Sequence, residues 1–258
     1  MKIVFFGTPD YVKPVIEVLE KNFELVESIR NTKQLDSGII EQLKNLKADL
    51  FVVASFGRIF SNEFLNIPKY GIINIHPSLL PKYRGPTPVQ TAILNGDKKT
   101  GVTIIKLDEK VDHGPVLEQR IIEIKENETS ENLLKRTFGE GAKMLPEATS
   151  NYIKGQTKIT PQDDSKATYT QHLTKKDGFI DLSSLKIENL KLKIERMIRA
   201  YYPWPGVWFK TKIGGQNRIV KLLPEQKIQV EGKKPMSYKD FINGYKEGEE
   251  ILSKIGAS

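Results

Sequence analysis

The sequence contains no cysteine, only three histidines in 258 residues, and no apolar run long enough to span a membrane. The missing cysteines exclude disulfides, thiol nucleophiles, iron–sulfur clusters and cysteine zinc sites. A membrane helix needs about 18 or more consecutive apolar residues, and the apolar start at 2–6 ends at Gly7, which is too short for a secretory signal. We therefore expect a cytoplasmic monomer that has no membrane partner and no metal ion.

The sequence also lacks the glycine-rich loops that bind nucleotides. Its first predicted strand–turn–helix has a single glycine, Gly7, where a dinucleotide-binding fingerprint has three. GDKKTG at 96–101 contains part of a phosphate-binding loop without its GxxxxGK(S/T) spacing. We therefore do not expect NAD or a nucleoside triphosphate to bind at either loop.

Strands and helices alternate along the first 160 residues. Short apolar runs predict strands, and apolar residues at i, i+3 and i+4 predict helices. The strands fall at 2–6, 24–29, 48–54, 71–76, 102–107 and 115–124, and the helices at 11–20, 36–47, 60–65, 88–94 and 130–152. This alternation is typical of an α/β, Rossmann-like fold, a mostly parallel sheet with helices on both faces. Sites in such sheets lie at the carboxyl ends of the strands.

The pattern changes after Gly155. Polar residues from 156 to 166 predict a linker, and a helix at 187–200 is followed by strands at 207–213 and 218–223. The Gly-Gly pair between these strands is typical of a β-hairpin. We therefore predict two domains, at 1–165 and 166–258, of which the second is smaller and contains a β-sheet.

Basic residues are concentrated in the second part of the chain. The whole chain has a net charge of +8, and 186–239 alone holds 13 Lys and Arg against four Glu. A lysine-rich solvated surface would produce this excess, and so would a platform for a phosphate backbone. Charge alone does not choose between the two.

Polar side chains interrupt the apolar strand predicted at 71–76. Because side chains alternate along a strand, Asn74 and His76 point to the same face. A core histidine with a turn asparagine is the simpler interpretation of the pair, but the rigid loop that follows and the carboxylates of DEKVDHGP at 108–115 favour a site. Asn74 can donate to an oxyanion, His76 can accept a proton from an attacking amine, and Asp112 can orient the imidazole. This set predicts direct acyl-type transfer, since no residue has the pattern of an activated nucleophile.

Several blocks of the sequence resemble one enzyme family. NIHPSLLPKYRGPTPVQ at 74–90, GVTI at 101–104, DHGPVL at 112–117 and GTPDY at 7–11 are similar to the formyltransferases that use 10-formyltetrahydrofolate. ATYTQHLTKKDGFIDL at 167–182, IRAYYPWPGVWF at 198–209 and GKKPMSYKDFINGY at 232–245 resemble the methionyl-tRNA branch of that family. The resemblance covers nearly the whole chain.

This resemblance implies transfer of a formyl group from 10-formyltetrahydrofolate to the α-amino group of methionine on initiator methionyl-tRNA. The family's catalytic residues correspond to Asn74, His76 and Asp112. The folate co-substrate is expected to contact six residues, Phe56, Gly57, Ser78, Leu79, Leu80 and Pro81. The second domain is expected to be an abbreviated OB-like β-barrel, and the expected tRNA contacts are Arg30, Lys33, Arg199, Lys210, Lys233 and Lys234.

The sequence departs from the family pattern at two places that concern tRNA. In the family a long basic insertion follows the second strand, whereas here 29–33 leads almost directly into the next helix. The barrel is also short, because 223–225 is followed quickly by GKKPMS. Relatives that act on sugars often lack the insertion, so formylation of an amino-sugar nucleotide is the main alternative. Hydrolysis of the formyl-folate and a non-catalytic tRNA-binding protein are the others.

Overall fold

The computed structural model of the chain describes residues 1–34, 37–182 and 190–256, which form two compact units. The first unit comprises Met1–Val89, Lys98–Ile124 and Leu133–Gln171. The second comprises Gln90–Asp97, Lys125–Asn132 and the described residues from His172 onward. The sequence predicts a domain boundary between residues 165 and 166, and this boundary stays a prediction.

The first unit contains a six-stranded sheet. Its strands are β1 (Lys2–Phe6), β2 (Glu24–Ile29), β3 (Leu50–Ala54), β4 (Ile72–His76), β5 (Lys99–Lys106) and β6 (Val116–Glu123), in the spatial order β2-β1-β3-β4-β5-β6. Strands β2, β1, β3 and β4 pair in parallel, whereas β5 is antiparallel to both β4 and β6. The predicted mostly parallel sheet is confirmed, and its antiparallel edge adds a reversal of direction next to β4.

Helices cover both faces of this sheet, as predicted. The helices up to residue 153 are α1 (Lys13–Asn22), α2 (Ser37–Leu46), α3 (Asn62–Leu65), α4 (Pro88–Asn95) and α5 (Ser130–Ile153). On one face, Leu43 of α2 and Phe64 of α3 belong to one buried cluster with Phe51 of β3. On the other face, Gly141 of α5 lies so close to the sheet that a Cβ at this position would be 2.6 Å from Ile75 Cγ2. None of the described helices is long and apolar enough to cross a membrane.

The second unit is built on a four-stranded antiparallel sheet. Its strands are β7 (Val207–Ile213), β8 (Gln216–Leu223), β9 (Lys227–Val230) and β10 (Met236–Ser237), and its further helices are α6 (Leu190–Tyr201), α7 (Tyr238–Gly244) and α8 (Gly248–Lys254). Gly214 and Gly215 have φ angles of +57° and +77° and close the predicted β7–β8 hairpin. A two-residue turn with both φ angles positive matches the twist of the strands it joins, which is why both residues are glycine. The helix predicted at 187–200 lies partly outside the described residues, and α6 covers the remainder.

The sheet of the second unit is open. An OB-fold is a five-stranded barrel, whereas the described strands follow the order β10-β9-β8-β7, with β7 and β10 outermost. Phe179 adds one isolated parallel bridge to Trp208 of β7. The predicted second β domain is therefore present, and within the described residues its abbreviation extends to the loss of barrel closure.

Candidate active site

Asn74 and His76 lie on one face of β4. All five residues of this strand are buried, and the alternation of IINIH places the two polar side chains opposite to Ile73 and Ile75. Asn74 is 9% exposed and His76 is 4% exposed. A buried polar group destabilises the fold unless it is hydrogen-bonded. The hydrogen-bonding partners of Asn74 and His76 therefore determine the chemistry that is open to the two side chains.

Asp112 supplies a partner for both side chains. Its Oδ1 accepts a hydrogen bond from Asn74 Nδ2 at 3.3 Å, and its Oδ2 lies 3.5 Å from His76 Nδ1. The backbone N–H of Gly85 donates to the same Oδ2 at 2.8 Å. The structure therefore brings together the three residues that the sequence predicted to be catalytic.

The loop that carries Asp112 approaches Asn74 and His76 from the amino end of β4. Because β5 is antiparallel to β4, its last residue, Lys106, lies opposite Ile73, near the start of β4. The loop then folds back toward Asn74, and its base is closed by a hydrogen bond from Lys106 N to Pro115 O at 3.1 Å. Asp112 has a φ angle of +46°, a left-handed conformation that is uncommon for residues other than glycine.

The second ring nitrogen of His76 determines its tautomer. His76 Nε2 lies 3.0 Å from the carbonyl oxygen of Tyr83. A carbonyl oxygen can only accept, so Nε2 carries the hydrogen in the neutral ring. Nδ1 is then the basic nitrogen, and it faces the carboxylate of Asp112 at ion-pair distance. The arrangement can take up one proton at Nδ1 and hold the resulting imidazolium against a carboxylate.

The loop that follows β4 is fastened to β5. Thr103 Oγ1 donates to Ser78 O at 2.6 Å and accepts from Leu80 N at 3.2 Å. Ser78 is 1% exposed and Leu80 is 5% exposed, so both are held inside the loop. Leu79 and Pro81 are half-buried. Of the four folate contacts predicted here, these two have the side chains that a ligand can reach.

The loop that follows β3 presents its backbone. Phe56, a predicted folate contact, is 3% exposed and packs against Phe6 with ring centroids 5.5 Å apart, so its side chain belongs to the core. Gly57, the other predicted contact, is exposed. The peptide groups of 56–59 form no backbone hydrogen bonds with other described residues. This loop therefore offers a ligand peptide donors and acceptors more than the ring of Phe56.

Arg84 is a buried cation beside the site. Its Nη1 donates to Tyr169 Oη at 3.1 Å and its Nη2 to Asp164 Oδ1 at 2.8 Å, while Nε and Nη2 donate to Gln162 Oε1 at 3.0 and 2.9 Å. Burial by itself lowers the pKa of Arg84, but the hydrogen bonds to Asp164 and Tyr169 outweigh it and raise that pKa. The same contact lowers the pKa of Asp164. Both groups therefore stay ionised, as a buried cation requires.

His113 links two aspartates next to Asp112. Its Nδ1 lies 2.6 Å from Asp108 Oδ2, and its Nε2 lies 3.3 Å from Asp164 Oδ2. An ionised carboxylate can only accept, so the ring satisfies both contacts when both of its nitrogens carry hydrogen. The loop of Asp112 is thereby tied to the segment around Asp164.

Arg84, His113 and Gln162 belong to the site but are not among the residues that the sequence predicts for it. Arg84 lies inside the block at 74–90 and His113 inside the block at 108–115, where other residues form the predicted site. A polar residue adjacent to a predicted site is the signal that could have found them. Gln162 lies in the polar stretch interpreted as a linker, and nothing in its local sequence distinguishes it.

The predicted tRNA contacts have different environments. Arg30 Nη2 donates to the carbonyls of Thr8 and Pro9 at 3.1 and 3.3 Å. Arg199 Nη1 donates to Glu128 O at 3.3 Å, and burial lowers the pKa of Arg199. The predicted lysines are exposed; they are Lys33, Lys210, Lys233 and Lys234. The two arginines therefore support the fold locally, whereas the lysines project into solvent.

One face of the β7–β8 hairpin carries further lysines. Along β7, Trp208, Lys210 and Lys212 lie on the face opposite to the buried residues, which are Val207, Phe209 and Ile213. The strand register places Lys221 of β8 opposite Trp208, so its side chain shares this face. Lys175 Nζ lies 5.7 Å from the centroid of the Trp208 ring. Clustered lysines beside an aromatic ring are suited to a phosphate backbone.

Together these groups define a class of site. Asn74 presents a hydrogen-bond donor beside a proton acceptor on His76, and Asp112 contacts both side chains. Acyl-type transfer requires groups of these kinds. Within the described ranges, no three His, Asp or Glu side chains are grouped so that they could hold a metal ion. Residues 1–149 match the family described as formyl transferase. The chain belongs to the formyl transferase family.

Methionyl-tRNA formyltransferases of several bacteria are similar to this chain. That of Roseiflexus castenholzii is 46% identical over 171 residues, which cover 66% of this chain and 53% of that protein. That of Thermodesulfovibrio yellowstonii is 32% identical over 312 residues, which cover 97% of this chain and 98% of that protein. The chain thus spans about half the length of the first relative and nearly all of the second. Because it has only 258 residues, at least 54 of the 312 positions are not filled by this chain.

Solved structures share the fold at low sequence identity. A sugar N-formyltransferase from Shewanella superposes with a TM-score of 0.66 at 19% identity, covering 87% of this chain and 98% of that one. HypX from Aquifex aeolicus in complex with tetrahydrofolic acid superposes with a TM-score of 0.68 at 21% identity, covering 86% of this chain and 37% of that one. These similarities establish the formyltransferase fold and leave the acceptor substrate to other arguments.

Proposed function

We propose that this protein transfers the formyl group of 10-formyltetrahydrofolate to the α-amino group of methionine on initiator methionyl-tRNA. The observation that carries the proposal is that Asp112 contacts both Asn74 and His76, which lie on the carboxyl half of β4. Its acceptor is supported by the relatives named methionyl-tRNA formyltransferase, one of which aligns with 97% of this chain.

Asn74 stabilises the charge that develops during transfer. Its Nδ2 carries two hydrogens, and Asp112 Oδ1 accepts one of them at 3.3 Å. The second can be donated to the formyl oxygen as the amine nitrogen attacks the formyl carbon. Because this bond is stronger to an oxyanion than to a carbonyl, it lowers the barrier more than it tightens binding.

His76 carries the proton of the reaction. Its Nδ1 accepts the proton that the attacking amine loses when the new carbon–nitrogen bond forms, and Asp112 stabilises the imidazolium. When the bond between the formyl carbon and the folate N10 breaks, the same proton is returned to that nitrogen. The histidine is thus neutral at the start and at the end, and no covalent intermediate with the chain is needed.

Two loops next to this site fit a folate. The peptide groups of 56–59, which form no backbone hydrogen bonds with other described residues, can meet the donors and acceptors of a pterin ring. Leu79 and Pro81 offer apolar contact to the faces of that ring. Ser78 and Leu80 are used within their loop and act by holding its shape. We therefore place the formyl donor between these loops and Asn74.

The acceptor tRNA is proposed to use the lysine face of β7–β8. Lys210, Lys212 and Lys221 share this face with Trp208, and Lys233 and Lys234 are exposed in the same unit. Lysines that neutralise phosphates release counterions, so such binding weakens as salt increases. An amino-sugar nucleotide, which carries few phosphates, would not need this surface.

The test offers several acceptors to the purified chain with the same formyl donor. Initiator methionyl-tRNA, elongator methionyl-tRNA and an amino-sugar nucleotide are compared by kcat/KM at equal salt. We expect formylation of initiator methionyl-tRNA to exceed that of the sugar nucleotide. Preferred formylation of the sugar nucleotide overturns the assignment of the acceptor, and release of formate without any acceptor overturns transfer itself.

A further inference from the structure

The side-chain amide of Gln162 connects Arg84 to the loop of Asp112. Its Nε2 donates to Asp112 O at 2.8 Å and to Gly114 O at 2.7 Å. Its Oε1 accepts from Arg84 Nε and Nη2 at 3.0 and 2.9 Å. A primary amide has two hydrogens and two lone pairs. All four are used here, so the orientation of the amide is fully determined.

The donor side of this amide holds a strained turn. Asp112 has a φ angle of +46°, which costs energy for a residue with a side chain and persists only where its surroundings enforce it. Gln162 binds the carbonyls of Asp112 and Gly114, one on each side of His113. Release of these carbonyls would let the backbone at Asp112 relax and would move its carboxylate.

The acceptor side of the amide is anchored on a rigid base. Arg84 is 1% exposed, and its backbone N–H and C=O pair with Thr168 O and Thr170 N, each at 2.8 Å. Arg84 also lies between the two residues whose backbones touch the site. Tyr83 O contacts His76 Nε2, and Gly85 N contacts Asp112 Oδ2.

We infer that Gln162 is a positioning residue that sets the Asp112 carboxylate against Asn74 and His76. It touches none of the reacting atoms and acts through the backbone of Asp112. The inference rests on the proposed formyl transfer for its kinetic consequences, and on the hydrogen-bond geometry alone for its structural ones. It assigns a role in the site to the segment 156–166, whose sequence predicts a linker.

The substitution Gln162→Glu tests the donor side of the amide while it keeps the acceptor side. A carboxylate still accepts from the Arg84 guanidinium, and it does so more strongly because the bond is charge-assisted. It has no hydrogens for the carbonyls of Asp112 and Gly114 and repels their oxygens. The substitution therefore keeps the anchor, removes the positioning, and should leave the melting temperature close to that of the parent chain.

We expect Gln162→Glu to lower kcat by about 10- to 100-fold, as a small misplacement of a catalytic group does. KM for the formyl donor should change by less than about threefold, because the donor loops are untouched. The matched control is Tyr169→Phe, which removes one hydrogen bond from Arg84 and none from the loop of Asp112. Its kcat should stay within about twofold of the parent value. A Gln162→Glu enzyme with the parent kcat overturns the inference.

A double-mutant cycle tests whether Gln162 acts through Asp112. In an Asp112→Asn background, Gln162→Glu should lower the residual kcat by less than about twofold, since the group being positioned has already been changed. Loss of the same factor in both backgrounds would mean that the two residues act independently, and it would contradict the inference.

A readout without turnover separates this inference from the proposed function. In the parent chain, the Gly85 N–H is bonded to Asp112 Oδ2, and the Thr170 N–H is bonded to Arg84 O. Gln162→Glu should speed hydrogen exchange at Gly85 by about tenfold and leave Thr170 unchanged. Equal acceleration at both amides indicates general loosening and overturns positioning. If the exchange result holds but no formyl is transferred by the parent chain, the proposed function fails and the positioning role stands.

Discussion

His76 Nε2 and the carbonyl oxygen of Tyr83 lie 3.0 Å apart, and this contact decides which ring nitrogen can act as a base. Because the carbonyl must receive a hydrogen, the basic lone pair is on Nδ1, where Asp112 Oδ2 lies 3.5 Å away. A main-chain atom of the loop thus controls the protonation pattern of the proposed catalytic histidine. No side chain needs to be present at position 83 for this purpose.

The tautomer can be measured directly. In chain labelled with ¹⁵N-histidine, the neutral form of His76 should show its hydrogen on Nε2, because Tyr83 O accepts it. Long-range ¹⁵N–¹H correlation spectra of the neutral ring distinguish the two forms. A hydrogen on Nδ1 in the neutral ring would contradict the proton route given above.

Two substitutions of His76 should differ in stability but share the loss of activity. Both His76→Gln and His76→Ala remove the base, and kcat should fall by about 10²–10⁴-fold in each. Only glutamine can still place an N–H near Tyr83 O, so the alanine variant should be less stable by about 1–3 kcal/mol. Denaturant unfolding and steady-state kinetics measure the two effects. Near-parent turnover in either variant would remove His76 from the mechanism.

Asn74→Ala should affect turnover more than binding. Loss of an oxyanion donor typically costs about 10²–10³-fold in kcat, whereas KM for the formyl donor should change by less than about threefold. Asn66→Ala is the matched control, because among the described residues the Asn66 amide bonds to Asn62, at the start of α3. A variant of Asn74 with raised KM and unchanged kcat would instead make it a binding residue.

Lysines on the β7–β8 face should set the salt dependence of tRNA binding. Each phosphate contact contributes about 0.7–0.9 to the slope of log K against log salt. Lys210→Ala and Lys221→Ala should each reduce this slope by about that amount, and the double variant by about twice it. Lys254→Ala changes the same charge at a lysine that is paired with Glu250 at 2.6 Å, and it should leave the slope unchanged. Equal slopes for all variants would place the tRNA elsewhere.

Tyr238 gives the second unit a defined response to alkaline pH. Burial, with a smaller contribution from Glu195, raises the pKa of Tyr238 from 10.0 to about 12. The folded state therefore favours the neutral phenol, and this stabilisation is complete below pH 10 and is lost as the pH rises through about 12. The difference in unfolding free energy between the parent chain and Tyr238→Phe should be constant below pH 10 and shrink above it. A difference that stays constant throughout would show that the phenol is not buried.

Local patterns were sufficient for the sheet and for part of the site. Strand β4 was predictable because it is a short, mostly apolar run, and the alternation of side chains along a strand placed Asn74 and His76 on the same face. Asp112 was predictable as a nearby carboxylate in a loop, although the antiparallel direction of β5, which makes that loop fold back, leaves no local signal. The burial of the Phe56 ring in the core likewise depends on packing against Phe6.

The hydrogen bonds that position the site residues could not be predicted from local sequence patterns. Gln162 lies 50 residues from Asp112 along the chain, and its neighbours are polar residues without helical or strand periodicity. Its role follows from a hydrogen-bonding partner that only the folded chain supplies. Strands β9 and β10, with four and two residues, were also missed because such short segments carry no measurable alternation.

The hydrogen bond between Lys106 N and Pro115 O has a consequence for how this site can change over evolutionary time. It closes the loop between these two residues, so that Asp112 lies a fixed number of residues from each end of the loop. An insertion or deletion there would shift the carboxylate even if every residue kept its identity. The length of this segment is therefore part of the proposed active site, and we expect natural variants to change its composition before its length.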